Sequence, residues 1–112
     1  MALEITFTEY ESDVVVFHMA GRLDATAAPV AYDQMIQQLG VKTRVVLDLA
    51  EVDYVSSGGL SIIIRLVHHL RNEGGDLHLA SPQPFVQKVF DIISFNAILK
   101  VFDDVEAALA AF

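Results

Sequence analysis

Val45 to Leu60, VVLDLAEVDYVSSGGL, places an apolar run, a polar stretch and a serine-glycine turn one after another. The run Val45–Leu49 is short and nearly continuous, which is typical of a strand covered on both faces. We predict a loop over Glu51–Val55 and a helix from about Ser57 to Asn72. A buried strand that leads through a loop into a helix is the repeating unit of an α/β sheet.

The predicted second helix is amphipathic. At 100° per residue, one face carries Leu60, Ile63, Ile64, Val67 and Leu70, while Ile62 and Leu66 fall between the two faces. The opposite, polar face carries Ser61, Arg65, His68, His69 and Asn72. Gly74-Gly75 then ends the helix.

The N-terminal third predicts a hairpin and a first helix. Leu3, Ile5 and Phe7 alternate with polar residues, the period of a half-buried strand. A turn at Glu11-Ser12-Asp13 leads to a second strand, Val14 to Met19, which Gly21-Arg22-Leu23-Asp24 ends. Asp24 or Thr26 caps the next helix, with Pro29 in its first turn, Gly40 as its stop, and apolar positions at Val30, Met35, Ile36 and Leu39.

The C-terminal third continues the alternation of strands and helices. We predict a strand at Leu77–Leu79, a short helix from Pro84 with Val86, Val89, Phe90 and Ile93 inward, a strand at Leu99–Phe102, and a terminal helix capped by Asp103-Asp104. The 112 residues therefore predict one α/β domain, 1–112. Its mixed β-sheet has about four or five strands and about four helices, with an N-terminal hairpin, then alternating α and β, and most helices on one face.

Composition excludes several classes of function. Seven Lys and Arg against 15 Asp and Glu give a net charge of −8, a poor match for nucleic acid or an anionic membrane. No stretch has the roughly 20 apolar residues of a membrane helix, and no leader is recognisable at the N-terminus. There is no cysteine. We expect a soluble cytoplasmic protein that neither binds nucleic acid nor inserts into a membrane.

Catalytic motifs are missing from the sequence. Gly58-Gly59 is not followed by the lysine of a phosphate loop, and the serines do not fit the Gly-x-Ser-x-Gly elbow. The adjacent His68 and His69 diverge on a helix, and we interpret Asp48, Glu51 and Asp53 as a solvated acidic loop. His18 and His78 lie on strands as packing or edge residues. We therefore expect no enzyme, no cofactor and no metal site.

The turn Ser56-Ser57-Gly58-Gly59 has two compatible interpretations. Ser56 or Ser57 caps the helix by accepting a hydrogen bond from a backbone N–H. An exposed serine there can also be phosphorylated, which adds about −1.5 to −2 charges. The glycines would leave the backbone open to a partner.

Several segments together resemble the STAS domain of bacterial anti-sigma-factor antagonists, and the resemblance covers essentially the whole chain. They are Gly21-Arg22-Leu23-Asp24, Val45–Leu49, Tyr54–Leu60, and Ser81-Pro82 with Val86, Val89, Phe90 and Asp91. The resemblance implies partner switching: the unphosphorylated antagonist binds an anti-sigma serine kinase, phosphorylation expels it, and a PPM-type phosphatase resets it. Aligned on Gly59-Leu60, the family's phosphorylated serine falls on Ser57, and Ser56 replaces the family's preceding Asp.

A predicted partner surface follows from this resemblance together with the strand order. Asp24 should end the strand beside the one that feeds Ser57, where its carboxylate could accept a hydrogen bond from the serine hydroxyl. We expect the partner to contact Asp24, Ser56, Ser57, Gly58, Ser61 and Arg65. The alternative implied by the family is an adaptor subunit that docks on the ATPase of a lipid-transport ABC system. A nucleotide-binding role ranks last, since no phosphate cradle is present.

Overall fold

A computed structural model describes residues 3–10 and 13–112 of the protein, so two residues of the predicted turn, Glu11 and Ser12, lie outside the described residues. The strands are β1 (Glu4–Tyr10), β2 (Val14–Leu23), β3 (Arg44–Val55), β4 (Asp76–Ala80) and β5 (Lys100–Phe102). The α-helices are α1 (Ala27–Leu39), α2 (Ser57–Asn72), α3 (Pro84–Ile92) and α4 (Val105–Ala110), and a 3-10 turn covers Phe95–Ala97. The predicted fold class is confirmed.

The five strands form one sheet in the order β1-β2-β3-β4-β5. β1 and β2 pair antiparallel, which confirms the N-terminal hairpin, and every later pair is parallel. The carboxyl ends of β2, β3 and β4 therefore lie at one edge of the sheet. In open α/β sheets this is the edge where binding sites gather.

The predicted loop at Glu51–Val55 is wrong, because this segment continues β3. Its partner is the end of β2, where Ala20 pairs with Glu51 and Leu23 with Val55. The pairing of β2 with β3 contains two register shifts, and both strands continue beyond them. Val52 and Val55, in the second half of β3, are buried. β2 is longer than predicted for the same reason.

α2 has the predicted bounds, but its buried face is rotated relative to the prediction. Ile62 and Leu66, which we placed between the faces, are buried, whereas Leu60 and Ile64 are only half-buried. The prediction that Ile93 points inward was also wrong, since Ile93 lies just after α3 and is 45% exposed; the apolar position Val30 of α1 is 58% exposed. These residues lie at the rims of their helices, where sequence periodicity does not settle burial.

Each face of the sheet has its own apolar cluster. α1, α2 and α3 contribute to the larger cluster, with the inward residues of β2, β3 and β4. α4 packs alone on the other face, over Val16, Val46 and Ala80. His78 anchors it: its Nδ1 lies 2.8 Å from the Ala108 carbonyl oxygen, and its ring stacks on Phe112. Most helices thus share one face, as predicted.

No helix within residues 3–10 and 13–112 is both long and apolar enough to cross a bilayer.

Candidate functional site

The candidate site lies where the ends of β2 and β3 meet the start of α2. Leu23 pairs with Val55, and one residue later the Ser56 N–H donates to the Leu23 carbonyl oxygen over 3.0 Å. The chain then turns directly into α2 at Ser57. This junction fixes the first turn of α2 against the end of β2.

Ser56 caps α2, one of the two alternatives that the sequence left open. Its Oγ accepts a hydrogen bond from the Gly59 N–H over 3.2 Å, and its backbone is extended, as a capping residue requires. The same hydroxyl lies 3.5 Å from the Leu23 carbonyl oxygen. Ser56 is therefore engaged within the fold.

Both glycines pack against the end of β2 or the loop after it, and Gly59 does not leave the open backbone that we expected. A Cβ on Gly59 would lie 2.4 Å from the Leu23 carbonyl oxygen, so only glycine fits there. A Cβ on Gly58 would lie 3.0 Å from the Ala25 Cα, a tight but less severe approach. Gly59 is buried, and Gly58, beside Ala25, is half-buried.

Ser57 differs from its neighbour in exposure and bonding. It is the first residue of α2, it is exposed, and its hydroxyl makes no hydrogen bond to any residue that the structure describes. Ser61 and Arg65 are also exposed farther along α2. The Arg65 guanidinium lies 4.1 Å from the centre of the Tyr32 ring, a cation–π contact that links α2 to α1.

Asp24 follows the end of β2, but its hydrogen-bond partners differ from the one predicted. Its Oδ1 accepts hydrogen bonds from the N–H groups of Thr26 (3.1 Å) and Ala27 (2.9 Å). The predicted bond from the Ser57 hydroxyl is absent from this structure, whose description covers both residues. Asp24 instead caps α1, while the Thr26 side chain makes no capping bond.

The contact between Asp48 and His18 was not predicted from the sequence. Asp48 is not part of a solvated loop: it lies on β3, and its Oδ2 is 2.8 Å from Nδ1 of His18 on β2. Nε2 of His18 lies 3.2 Å from the Thr8 hydroxyl. The strand register would have indicated this contact, since His18 and Asp48 are direct partners across the two parallel strands.

Within residues 3–10 and 13–112, no three histidine, aspartate or glutamate side chains converge in a way that could hold a metal ion. His68 and His69 lie in the last turns of α2.

Comparisons with known proteins agree with this architecture. The STAS domain family matches residues 5–108. The chain is 45% identical over 69 residues to BtrV of Bordetella bronchiseptica, named as a candidate anti-sigma factor antagonist; the match covers 62% of this chain and 60% of BtrV. It is 24% identical over 101 residues to the anti-sigma-B factor antagonist of Bacillus subtilis, covering 90% of this chain and 92% of that protein.

A solved structure extends the likeness to the backbone. The crystal structure of an anti-sigma factor antagonist from Mycobacterium paratuberculosis superposes with a TM-score of 0.87 at 19% identity, covering 98% of this chain and 93% of that one. At this identity the likeness concerns the fold. The family match over residues 5–108 carries the assignment, and the chain belongs to the STAS domain family.

Proposed function

We propose that this protein is an anti-sigma-factor antagonist that acts by partner switching. In its unphosphorylated form it binds an anti-sigma serine kinase in the cytoplasm and so frees a sigma factor. The kinase phosphorylates Ser57 and is thereby released, and a PPM-type phosphatase restores the first form. The protein itself performs no catalysis in this cycle.

The observation that carries the proposal is the difference in hydrogen bonding and exposure between two adjacent serines. Ser56 is half-buried and its hydroxyl caps α2, whereas Ser57 is exposed to solvent. A kinase can reach Ser57 without unfolding the helix. The relatives named anti-sigma factor antagonists supply the class of partner.

Charge explains why phosphorylation at Ser57 would expel a docked partner. The phosphate brings about −1.5 to −2 charges to a surface that a partner has fitted to a neutral hydroxyl. The Asp24 loop lies against the start of α2, since Ala25 packs on Gly58, so a carboxylate already borders this surface. An unmatched charge at a desolvated contact costs roughly 2–5 kcal/mol, enough to exchange partners.

The fold need not rearrange for this switch to operate. The helix start is fixed by the Ser56–Leu23 and Ser56–Gly59 hydrogen bonds, which do not involve the Ser57 hydroxyl. A negative group at the first residue of a helix also interacts favourably with the helix dipole. The effect is therefore expected in binding and not in stability. The partner footprint that we propose is Asp24, Ser56, Ser57, Gly58, Ser61 and Arg65.

Phosphosite mapping tests the proposal. The protein is incubated with ATP and the anti-sigma-type serine kinase of its own genome, and the modified residue is located by tandem mass spectrometry. We expect phosphate on Ser57, complete loss of labelling in Ser57→Ala, and normal labelling in the matched control Ser61→Ala. Phosphate on Ser56 or Ser61 would refute the assignment.

The adaptor alternative predicts a different outcome. A subunit that docks on an ABC-transporter ATPase needs no phosphorylation, so it would bind that ATPase equally well with Ser57→Asp. Stable binding of that kind, without labelling by any anti-sigma kinase, would replace the proposed function.

A further inference from the structure

The outer edge of β1 lies outside the proposed switch surface. β1 is the first strand in the sheet order, and no strand that the structure describes pairs with its outer side. Its pairing with β2 runs without a bulge from Glu4 to Tyr10, so the edge is regular over seven residues. Regular edges of this kind are usually blocked by charged side chains, lysine above all, by proline or by a bulge. β1 has no lysine, proline or bulge, and its charged residues are Glu4 and Glu9.

A groove accompanies this edge on the side of the sheet that α1 covers. It has a volume of about 260 Å³ and is lined by Ile5, Phe7, Phe17, Gln34, Gln37 and Gln38. Phe7 contributes to its wall and remains 42% exposed, an unusual fraction for a phenylalanine inside a regular strand. The three glutamines offer uncharged amide donors and acceptors on the helix side.

We propose that the β1 edge binds an extended, basic peptide segment of a protein partner by strand addition. The segment's backbone pairs with the free N–H and C=O groups of β1, and every second side chain enters the groove beside Phe7. The groove wall formed by Ile5, Phe7 and Phe17 selects apolar side chains at those positions. This surface is separate from Ser57, and the inference does not depend on the proposed function.

Charge determines the class of occupant. β1 carries Glu4 and Glu9 but no Lys or Arg, and the whole chain has a net charge of −8. Lys42 lies 3.3 Å from the Glu9 carboxylate, while no ion pair joins Glu4 to any residue that the structure describes. A second copy of the chain would bring another −8 to the edge, whereas a segment with Lys or Arg at alternate positions would be attracted to it.

A synthetic probe tests the inference. The probe is a seven-residue peptide of alternating valine and lysine, acetylated and amidated, titrated into the full chain labelled with ¹⁵N. We expect saturable shifts of the β1 amides and slower hydrogen exchange along that strand. No shift at about 1 mM probe, where even weak binding of about −4 kcal/mol is half-saturated, would overturn the proposal. Shifts confined to the start of α2 would also overturn it.

Two matched comparisons distinguish strand addition from nonspecific attraction. N-methylation of one alternate set of peptide nitrogens should abolish binding and the other set should not, since only one edge of the peptide pairs. Phe7→Lys should weaken binding by about tenfold or more, whereas Ile92→Lys, at an apolar residue of α3 that is 75% exposed, should not. Equal effects of the two peptide sets would refute strand pairing. A concentration-dependent dimer that Phe7→Lys abolishes would show that the occupant is a second copy.

Discussion

The inner and outer sides of the first turn of α2 follow different physical rules. On the inner side, Ser56 and Gly59 are fixed against Leu23 by hydrogen bonds and by a contact too close for any Cβ. On the outer side, Ser57 and Ser61 face solvent. A residue fixed within the fold and a residue exposed to solvent can therefore be adjacent in the chain. A rigid inner side keeps the outer hydroxyl in one place, which a docking partner requires.

The largest stability effect is expected at Gly59. Gly59→Ala places a methyl group 2.4 Å from the Leu23 carbonyl oxygen, and that strand backbone cannot move without breaking its bond from the Ser56 N–H. Overpacking of this kind costs about 2–3 kcal/mol, which outweighs the 0.5–1 kcal/mol that alanine adds in a helix. Urea denaturation measures the loss. An unchanged unfolding midpoint would show that the inner side is not rigid.

A smaller loss is expected when the capping hydroxyl is removed. Ser56→Ala leaves the Gly59 N–H without its partner and should lower the free energy of unfolding by about 1 kcal/mol. Ser57→Ala is the matched control and should change stability by less than about 0.5 kcal/mol, since the side chain is exposed. If the two variants lost the same amount, the contrast between the serines would be wrong.

Gly58→Ala tests whether the two glycines differ in the stability cost of an added methyl group. The new Cβ would lie 3.0 Å from the Ala25 Cα, in a loop that can shift by a few tenths of an ångström. The strain and the gain in helix propensity should nearly cancel, so we expect a change within about 1 kcal/mol. A loss as large as that of Gly59→Ala, measured in the same urea titrations, would mean that the loop after β2 is as rigid as the strand.

The features that depend on residues close together in sequence were predicted correctly. The bounds of α2 followed from its apolar period, its preceding serines and the glycines after it, and the hairpin followed from the alternation in β1. The second half of β3 was missed because its acidic residues resemble a loop, whereas its pairing with β2 is a tertiary property. The exposure of Ile93, at the end of a helix, was missed for a similar reason.

Contacts across the chain explain the remaining differences at the site. Ala25 and Leu23 occupy the space beside Gly58 and Gly59. Both residues are distant from the glycines in sequence, so the sequence around the glycines does not indicate these contacts. The His18–Asp48 pair also required the register of two strands that are distant in sequence. Ser57 was singled out by the resemblance to the family, and its exposure in the structure is consistent with that choice.

A pair of charge variants separates binding from stability. Ser57→Asp adds a negative charge at the start of α2, where the helix dipole tolerates it, and Asn72→Asp adds the same charge at the other end of the helix. We expect Ser57→Asp to weaken kinase binding by about 1–3 kcal/mol and Asn72→Asp to leave it nearly unchanged. Isothermal titration measures both. Equal losses would place the binding surface elsewhere.

The central claim is that one phosphate on Ser57 decides which partner is bound. The most direct measurement is the affinity of the isolated anti-sigma kinase for the unphosphorylated chain and for the chain phosphorylated at Ser57, by isothermal titration at one salt concentration. We expect the phosphorylated chain to bind at least about tenfold more weakly, a difference of 1.4 kcal/mol or more, with unchanged or slightly higher thermal stability. Equal affinity for the two forms would contradict it.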